Sequence, residues 1–215
     1  MSDDQPPSAS PSAPHRKRQD ACGRILERLA GRSIVLVGMM GAGKTSVGKR
    51  LASRLGLTFV DADAEIEIAA KKTISEIFAE HGEDYFRQGE RRVISRLLRE
   101  GPKVVATGGG AFMNAETRAA IAATGLSVWL KADLPLLFER VKRRPTRPLL
   151  QTDNPEATLQ RLIDERYPVY AEAALTVASR DVPHEAMVDA VVEAIDDWLR
   201  QETDGVQAAT GDQGD

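Results

Sequence analysis

Short, β-branched apolar runs alternate with stretches of helical periodicity along most of this chain. The runs are Ile34 to Val37, Thr58 to Val60, Val104 to Thr107, Ser127 to Leu130 and Leu175 to Ala178. Each is too short and too apolar for a half-exposed antiparallel strand, so the pattern predicts buried strands of a parallel sheet joined by crossover helices. Val47, Leu51 and Leu55 recur every four residues, as do Val188 and Val192 with Ile195 and Leu199 slightly offset. Such stripes predict helices packed on the sheet. Thr73 with Glu76 is a capping box, and Asn154-Pro155 supplies an N-cap followed by proline at the first helical position, so helices should begin there. A further helix is predicted from about Glu83 to Arg99.

The ends of the chain break this rhythm. Residues 1 to about 20 are rich in Pro and Ser, and alanine is their only apolar type after Met1, so they cannot bury enough surface to fold. An unstructured tail is expected over 1–30, with the start of a first helix allowed near its end, and another over 201–215. Ser and Arg would suit an organelle transit segment, but Asp3 and Asp4 argue against one. One α/β domain is expected over 31–200, with a small lid at about 141–155.

Composition narrows the function classes. With 42% hydrophobic and 28% charged residues, the 215-residue chain has the balance of a soluble globular protein. A net charge of -3 gives no general attraction to nucleic acid, so any anion must be held by locally placed cations. Cys22 is the only cysteine, which excludes an intramolecular disulfide and suits a reducing compartment. No stretch approaches the roughly 20 apolar residues of a membrane span. A cytoplasmic protein without nucleic-acid or membrane partners is expected.

The chemistry begins directly after the first strand. Gly38-Met39-Met40-Gly41-Ala42-Gly43-Lys44-Thr45 matches the phosphate-loop pattern G-x-x-x-x-G-K-[ST] in the required strand, loop and helix context. Backbone N–H groups of such a loop, with the N-terminus of the following helix, point at phosphate oxygens. Lys44 would neutralise the β- and γ-phosphates of ATP, and Thr45 would offer its hydroxyl to Mg2+.

Asp61 and Asp63 follow the second strand, at the sheet edge where doubly wound folds bind ligands. They could support magnesium through water and accept a proton from an attacking hydroxyl; capping of a helix starting at Ala64 would explain Asp63 equally simply. Arg87 and Glu90 lie one helical turn apart, fit to hold a guanidinium fork for a carboxylate or phosphate, or to form an ordinary surface pair. Gly108-Gly109-Gly110 after the third strand would let backbone amides approach an anion, or serve as a hinge. Arg140, Arg143, Arg144 and Arg147 surround Pro145 in a segment suited to closing over ATP, although a solvated basic face is the blander reading.

Taken together, the loop from Gly38 to Thr45, Asp61-Ala-Asp63, Phe86-Arg87-x-x-Glu90, the triple glycine, Arg147-Pro148-Leu149-Leu150 and Arg166-x-Pro168-x-Tyr170 resemble shikimate kinase in order and spacing, from about Ser33 to Leu199. The resemblance implies a three-layer α/β/α P-loop kinase fold, with a five-stranded parallel sheet of order 2-3-1-4-5 and small lid and substrate-binding segments. It implies ATP-dependent phosphorylation of the shikimate 3-hydroxyl by a monomeric cytosolic enzyme of aromatic amino-acid biosynthesis. Gly41, Ala42, Gly43, Lys44, Thr45 and Ser46 would hold the nucleotide phosphates. Arg87 and Arg166 would grip the shikimate carboxylate with a backbone amide at Gly109, and Asp63 would hold the ring hydroxyls, kept ionised by nearby cations. Asp61 would act through water at the magnesium, Glu90 would hold Arg87, and Arg147 would reach the phosphates from the lid. Arg140 would stack on adenine, with Pro183 on the opposite face.

Two other readings compete. Another small-molecule kinase of this fold, for gluconate or a nucleoside monophosphate, could use paired arginines on a phosphate. A regulatory nucleotide switch is the other, but neither D-x-x-G nor N-K-x-D follows the phosphate loop.

Overall fold

In the computed structural model, residues 13–143 and 154–210 are described, with side chains from 20–143 and 154–202. Five parallel strands form one sheet of order β2-β3-β1-β4-β5: β1 Ser33–Val37, β2 Thr58–Asp61, β3 Lys103–Ala106, β4 Gly125–Lys131 and β5 Leu175–Ala178. Every pairing is parallel, and β1 sits between β3 and β4 with Ile34 opposite Val104 and Leu126. The strand order places β2 and β5 at the edges, and both are partly exposed, unlike the fully buried strands that their apolar runs predict. With neighbours on one side only, an edge strand is covered on fewer sides.

Eight helices surround the sheet among the described residues: α1 Ala13–Leu29, α2 Lys44–Leu55, α3 Ala62–Ala70, α4 Ile74–Arg99, α5 Ala115–Thr124, α6 Leu134–Lys142, α7 Pro155–Tyr170 and α8 His184–Thr210. The stripes Val47, Leu51, Leu55 and Val188, Val192, Ile195, Leu199 are all buried. Thr73 closes its capping box with Glu76, and Asn154 caps α7 by accepting from the Ala157 N–H at 3.0 Å. α4 is broken at Gly82, whose φ of 78° and ψ of 179° are not helical. The second arm, Glu83 to Arg99, is the helix that the sequence predicts.

Both ends differ from the expected tails. α1 covers much of 13–30 and buries Ile25 and Leu29, and α8 continues to Thr210. The cause is a stripe at Cys22, Ile25 and Leu29 that packs α1 on α8, with Arg24 paired to Asp196 at 2.7 Å and Arg32 to Glu202 at 2.8 Å.

Candidate active site

The C-terminal ends of β1, β2 and β3 open onto a cleft of about 420 Å³, lined from the phosphate loop through Asp61, Asp63, Thr107, Gly108 and Gly109 to Arg140, Ser179 and Asp181. Gly41, Ala42, Gly43, Lys44, Thr45 and Ser46 all lie in this wall, as the motif requires. Lys44 Nζ donates to the carbonyls of Gly38 at 2.7 Å and Met39 at 3.0 Å, which holds the ammonium against the loop. Thr45 Oγ1 donates to Asp61 Oδ2 at 3.1 Å.

Asp61 ends β2 and caps α3, its carboxylate accepting from the Asp63 N–H at 3.2 Å. The helix starts at Ala62, so the capping role weighed for Asp63 falls to Asp61 and leaves the Asp63 carboxylate to the cleft. The pKa of Asp63 is raised, by burial first and by Asp61 second, while Lys44 and Arg87 pull it down. Cations alone therefore do not set its charge, contrary to the expectation from sequence; desolvation outweighs them.

The triple glycine is the floor on which the charged groups meet. A Cβ on Gly108 would lie 2.6 Å from Asp63 Oδ1 and 2.9 Å from Glu90 Oε1; on Gly109, 3.2 Å from Arg166 Nη1; on Gly110, 2.5 Å from both terminal nitrogens of Arg87. Any side chain here would displace one of these groups, so the glycines are required by close approach rather than by hinge motion. Neither arginine is in the cleft wall itself: Arg166 lies behind Gly109, which is, and Arg87 lies against the next residue, Gly110, which is not.

Arg87 is clamped from both sides, Nη1 donating to Glu90 Oε2 at 2.7 Å and Nη2 to Glu83 Oε1 at 3.0 Å. Burial would lower its pKa, but the two carboxylates outweigh burial and raise it. Glu83 was not singled out in the sequence, although its i to i+4 spacing from Arg87 is a legible signal. Glu90 is 2% exposed, and its pKa is raised by burial against the pull of Arg87.

Arg166, on α7, is 7% exposed, and its Nε and Nη1 have no hydrogen-bond partner among the described residues; neither has Glu90 Oε1. Buried guanidinium donors are costly when unpaired. Their placement beside Gly109 suits an anionic ligand.

At the other end, Arg140 donates to the Gly41 carbonyl at 3.3 Å, Ser179 Oγ at 3.1 Å and the Arg180 carbonyl at 2.8 Å. Ser179 Oγ in turn donates to the Ala42 carbonyl at 3.0 Å, linking β5 to the phosphate loop. Nothing local in the sequence marks Ser179. Val182 and His184 line the cleft, whereas Pro183 between them does not; its carbonyl accepts from the Ala186 N–H at 3.0 Å to start α8. Arg143 lines the cleft and pairs with Glu139 at 2.9 Å. Arg144, Arg147 and most of the expected lid at 141–155 lie outside the described residues.

A shikimate kinase family model matches residues 40–196. A shikimate kinase from Bradyrhizobium diazoefficiens is 60% identical over 185 residues, 86% of this chain and 87% of that one. Another from Rhodopseudomonas palustris is 56% identical over 199 residues, 93% of this chain and 95% of that one. Among solved structures, shikimate kinase from Acinetobacter baumannii in complex with shikimate aligns with a TM-score of 0.75 and 38% identity, covering 80% of this chain and 96% of that one.

Proposed function

This chain belongs to the shikimate kinase family, and from that premise we propose how its residues pass the γ-phosphoryl group of ATP to the 3-hydroxyl of shikimate, giving shikimate 3-phosphate and ADP. The observation that carries the assignment of roles is the buried Arg166 beside Gly109, whose Nε and Nη1 have no hydrogen-bond partner among the described residues, with Arg87 held at the adjacent Gly110. Two guanidinium forks at one strip of backbone suit a carboxylate, and Asp63 at Gly108 suits ring hydroxyls.

In this reading Arg87, Arg166 and the Gly109 amide hold the acceptor carboxylate, and Glu90 keeps Arg87 in register. Asp63 orients the attacking hydroxyl and accepts its proton. A loose phosphoryl-transfer transition state lets that proton leave late, so positioning and charge neutralisation carry most of the acceleration. Lys44, with the amides from Gly41 to Ser46, stabilises charge on the phosphates. Arg147 is assigned to the transferring group from its sequence motif alone, and Arg140, braced by Ser179, to the nucleotide.

Among the described residues no cluster of His, Cys, Asp or Glu forms a metal cage. The hard oxygens of Thr45 and Asp61 fit Mg2+, which takes few protein ligands and keeps water and phosphate oxygens for the rest. Thr45 would hold it directly and Asp61 through water. When bound, the ion neutralises charge on the β- and γ-phosphates. We place the enzyme in the cytosol as a monomer, as the family resemblance implies.

Coupled measurement of ADP release tests the reading. Release should require shikimate and should not be restored by gluconate or a nucleoside monophosphate. Release with either of those and none with shikimate would overturn it.

A further inference from the structure

Turn hydrogen bonds hold two of the three glycine carbonyls, Gly108 by the Ala111 N–H at 3.2 Å and Gly110 by the Met113 N–H at 3.1 Å, which leaves the Gly109 carbonyl to be fixed from another element. Tyr170 is placed to fix it. This last residue of α7 is 0% exposed, and its phenolic hydroxyl donates to the Gly109 carbonyl. The same oxygen lies 3.8 Å from Met39 Sδ of the phosphate loop. The ring is held by Trp129 of β4 at 5.9 Å, Phe112 of the turn after the glycines at 6.4 Å and Tyr167 at 6.2 Å between centroids. Arg166 stands one turn earlier on α7, so a single helix presents a guanidinium to the Gly109 α-carbon and a hydroxyl to its carbonyl.

We propose that Tyr170 is a positioning residue for the acceptor: its hydroxyl, anchored by the aromatic cluster and touching the phosphate loop, locks the Gly109–Gly110 peptide so that the Gly110 N–H, beside the Gly109 amide, and Arg166 meet the substrate carboxylate in one fixed geometry. The inference rests on the assignment of shikimate as acceptor. A planar trans peptide fixes its N–H once its C=O is held, so this hydrogen bond orients the Gly109–Gly110 peptide and with it the Gly110 N–H, while the Gly108 carbonyl, accepting from the Ala111 N–H at 3.2 Å, orients the peptide that carries the Gly109 N–H. Burial pushes the Tyr170 hydroxyl up to about 12, against the opposing pull of Arg166, so it remains a donor throughout the range in which an enzyme works.

The test is Tyr170→Phe, which keeps the ring and removes the donor. The KM for shikimate should rise about tenfold, the worth of one buried hydrogen bond, while the KM for ATP stays within about twofold. Shikimate methyl ester isolates the carboxylate. The parent should discriminate strongly against the ester, and the ratio of ester KM to shikimate KM should fall in the variant, because part of what the ester forfeits is already lost. An unchanged ratio, an unchanged shikimate KM, or equal rises for ATP and shikimate would each overturn the proposal.

Should the variant not fold, the native protein labelled with 13Cζ-tyrosine gives a second reading. The Tyr170 signal, assigned with Tyr85→Phe and Tyr167→Phe, should shift on adding shikimate and not on adding the ester; a signal indifferent to shikimate rejects the idea. The parent is assayed alongside throughout. A parent that does not phosphorylate shikimate sinks the functional assignment itself, whereas an active parent with a parent-like variant sinks only the role of Tyr170.

Discussion

Arg87 and Glu90 face each other across one turn of α4, Nη1 to Oε2 at 2.7 Å, and the second oxygen of Glu90 lies against Gly108 with no hydrogen-bond partner among the described residues. A buried carboxylate whose pKa is raised is stabilised chiefly by the cation it holds. Glu90→Ala would leave Arg87 tied only to the exposed Glu83, free to lean away from Gly110. The KM for shikimate should rise on the order of tenfold with kcat less affected. Steady-state kinetics with shikimate varied at saturating ATP checks this, and a parent-like KM would show that Glu83 suffices.

Asp63→Asn should separate activity from stability. Loss of the proton acceptor should lower kcat on the order of 10²-fold or more. Burial raises the Asp63 pKa above its ordinary 3.8, so the folded protein keeps this proton to higher pH than the unfolded chain. The stability this group contributes is therefore present below 3.8 and lost as pH rises through the raised value. Asparagine has no proton to lose. The variant should melt above the parent at pH 7, with the advantage fading toward about pH 4. Melting curves across pH decide it, and a variant that melts lower at neutral pH would contradict the cost assigned to the buried charge.

Arg87→Lys keeps the positive charge and removes the fork. The contacts to Glu83 and Glu90 use separate nitrogens of one planar group, which a lysine ammonium cannot reproduce in the same geometry. Acceptor KM should rise by about tenfold or more while ATP KM is preserved. Unchanged binding of shikimate, measured by calorimetry, would count against the carboxylate clamp.

Leu29→Ala tests whether α1 is part of the folded unit. Leu29 is 1% exposed in the main core, so its truncation should cost about 2–5 kcal/mol in urea denaturation, without altering KM for either substrate. A loss within about 0.5 kcal/mol, as for an ordinary surface position, would mean that α1 contributes little.

Much of this arrangement was legible in the sequence, because its signals are local. The phosphate loop is contiguous, the strands are compact apolar runs, and Arg87 with Glu90 lies within one turn. Only the start of helix α1 is legible and not its extent, because Cys22, Ile25 and Leu29 are spread among charged residues behind a Pro- and Ser-rich start, and their partner α8 lies at the far end of the chain. The contact of Tyr170 with Gly109 joins a hydroxyl to a backbone carbonyl 61 residues away, which no spacing rule encodes. The state of Asp63 needs the depth of the cleft, a property of the assembled sheet edge. Ser179 is similarly mute in sequence because its partners are an arginine and the carbonyl of Ala42, supplied by other elements.

The break at Gly82 makes α4 two short levers rather than one long one. The inner lever, carrying Arg87 and Glu90, is rooted through Val93, Ile94, Leu97 and Leu98, while the outer lever from Ile74 to His81 has only Ile77 deeply seated. A continuous rod would carry any change at its tip through to the guanidinium; a joint lets the outer arm drift in sequence while the anchoring charges keep their footing.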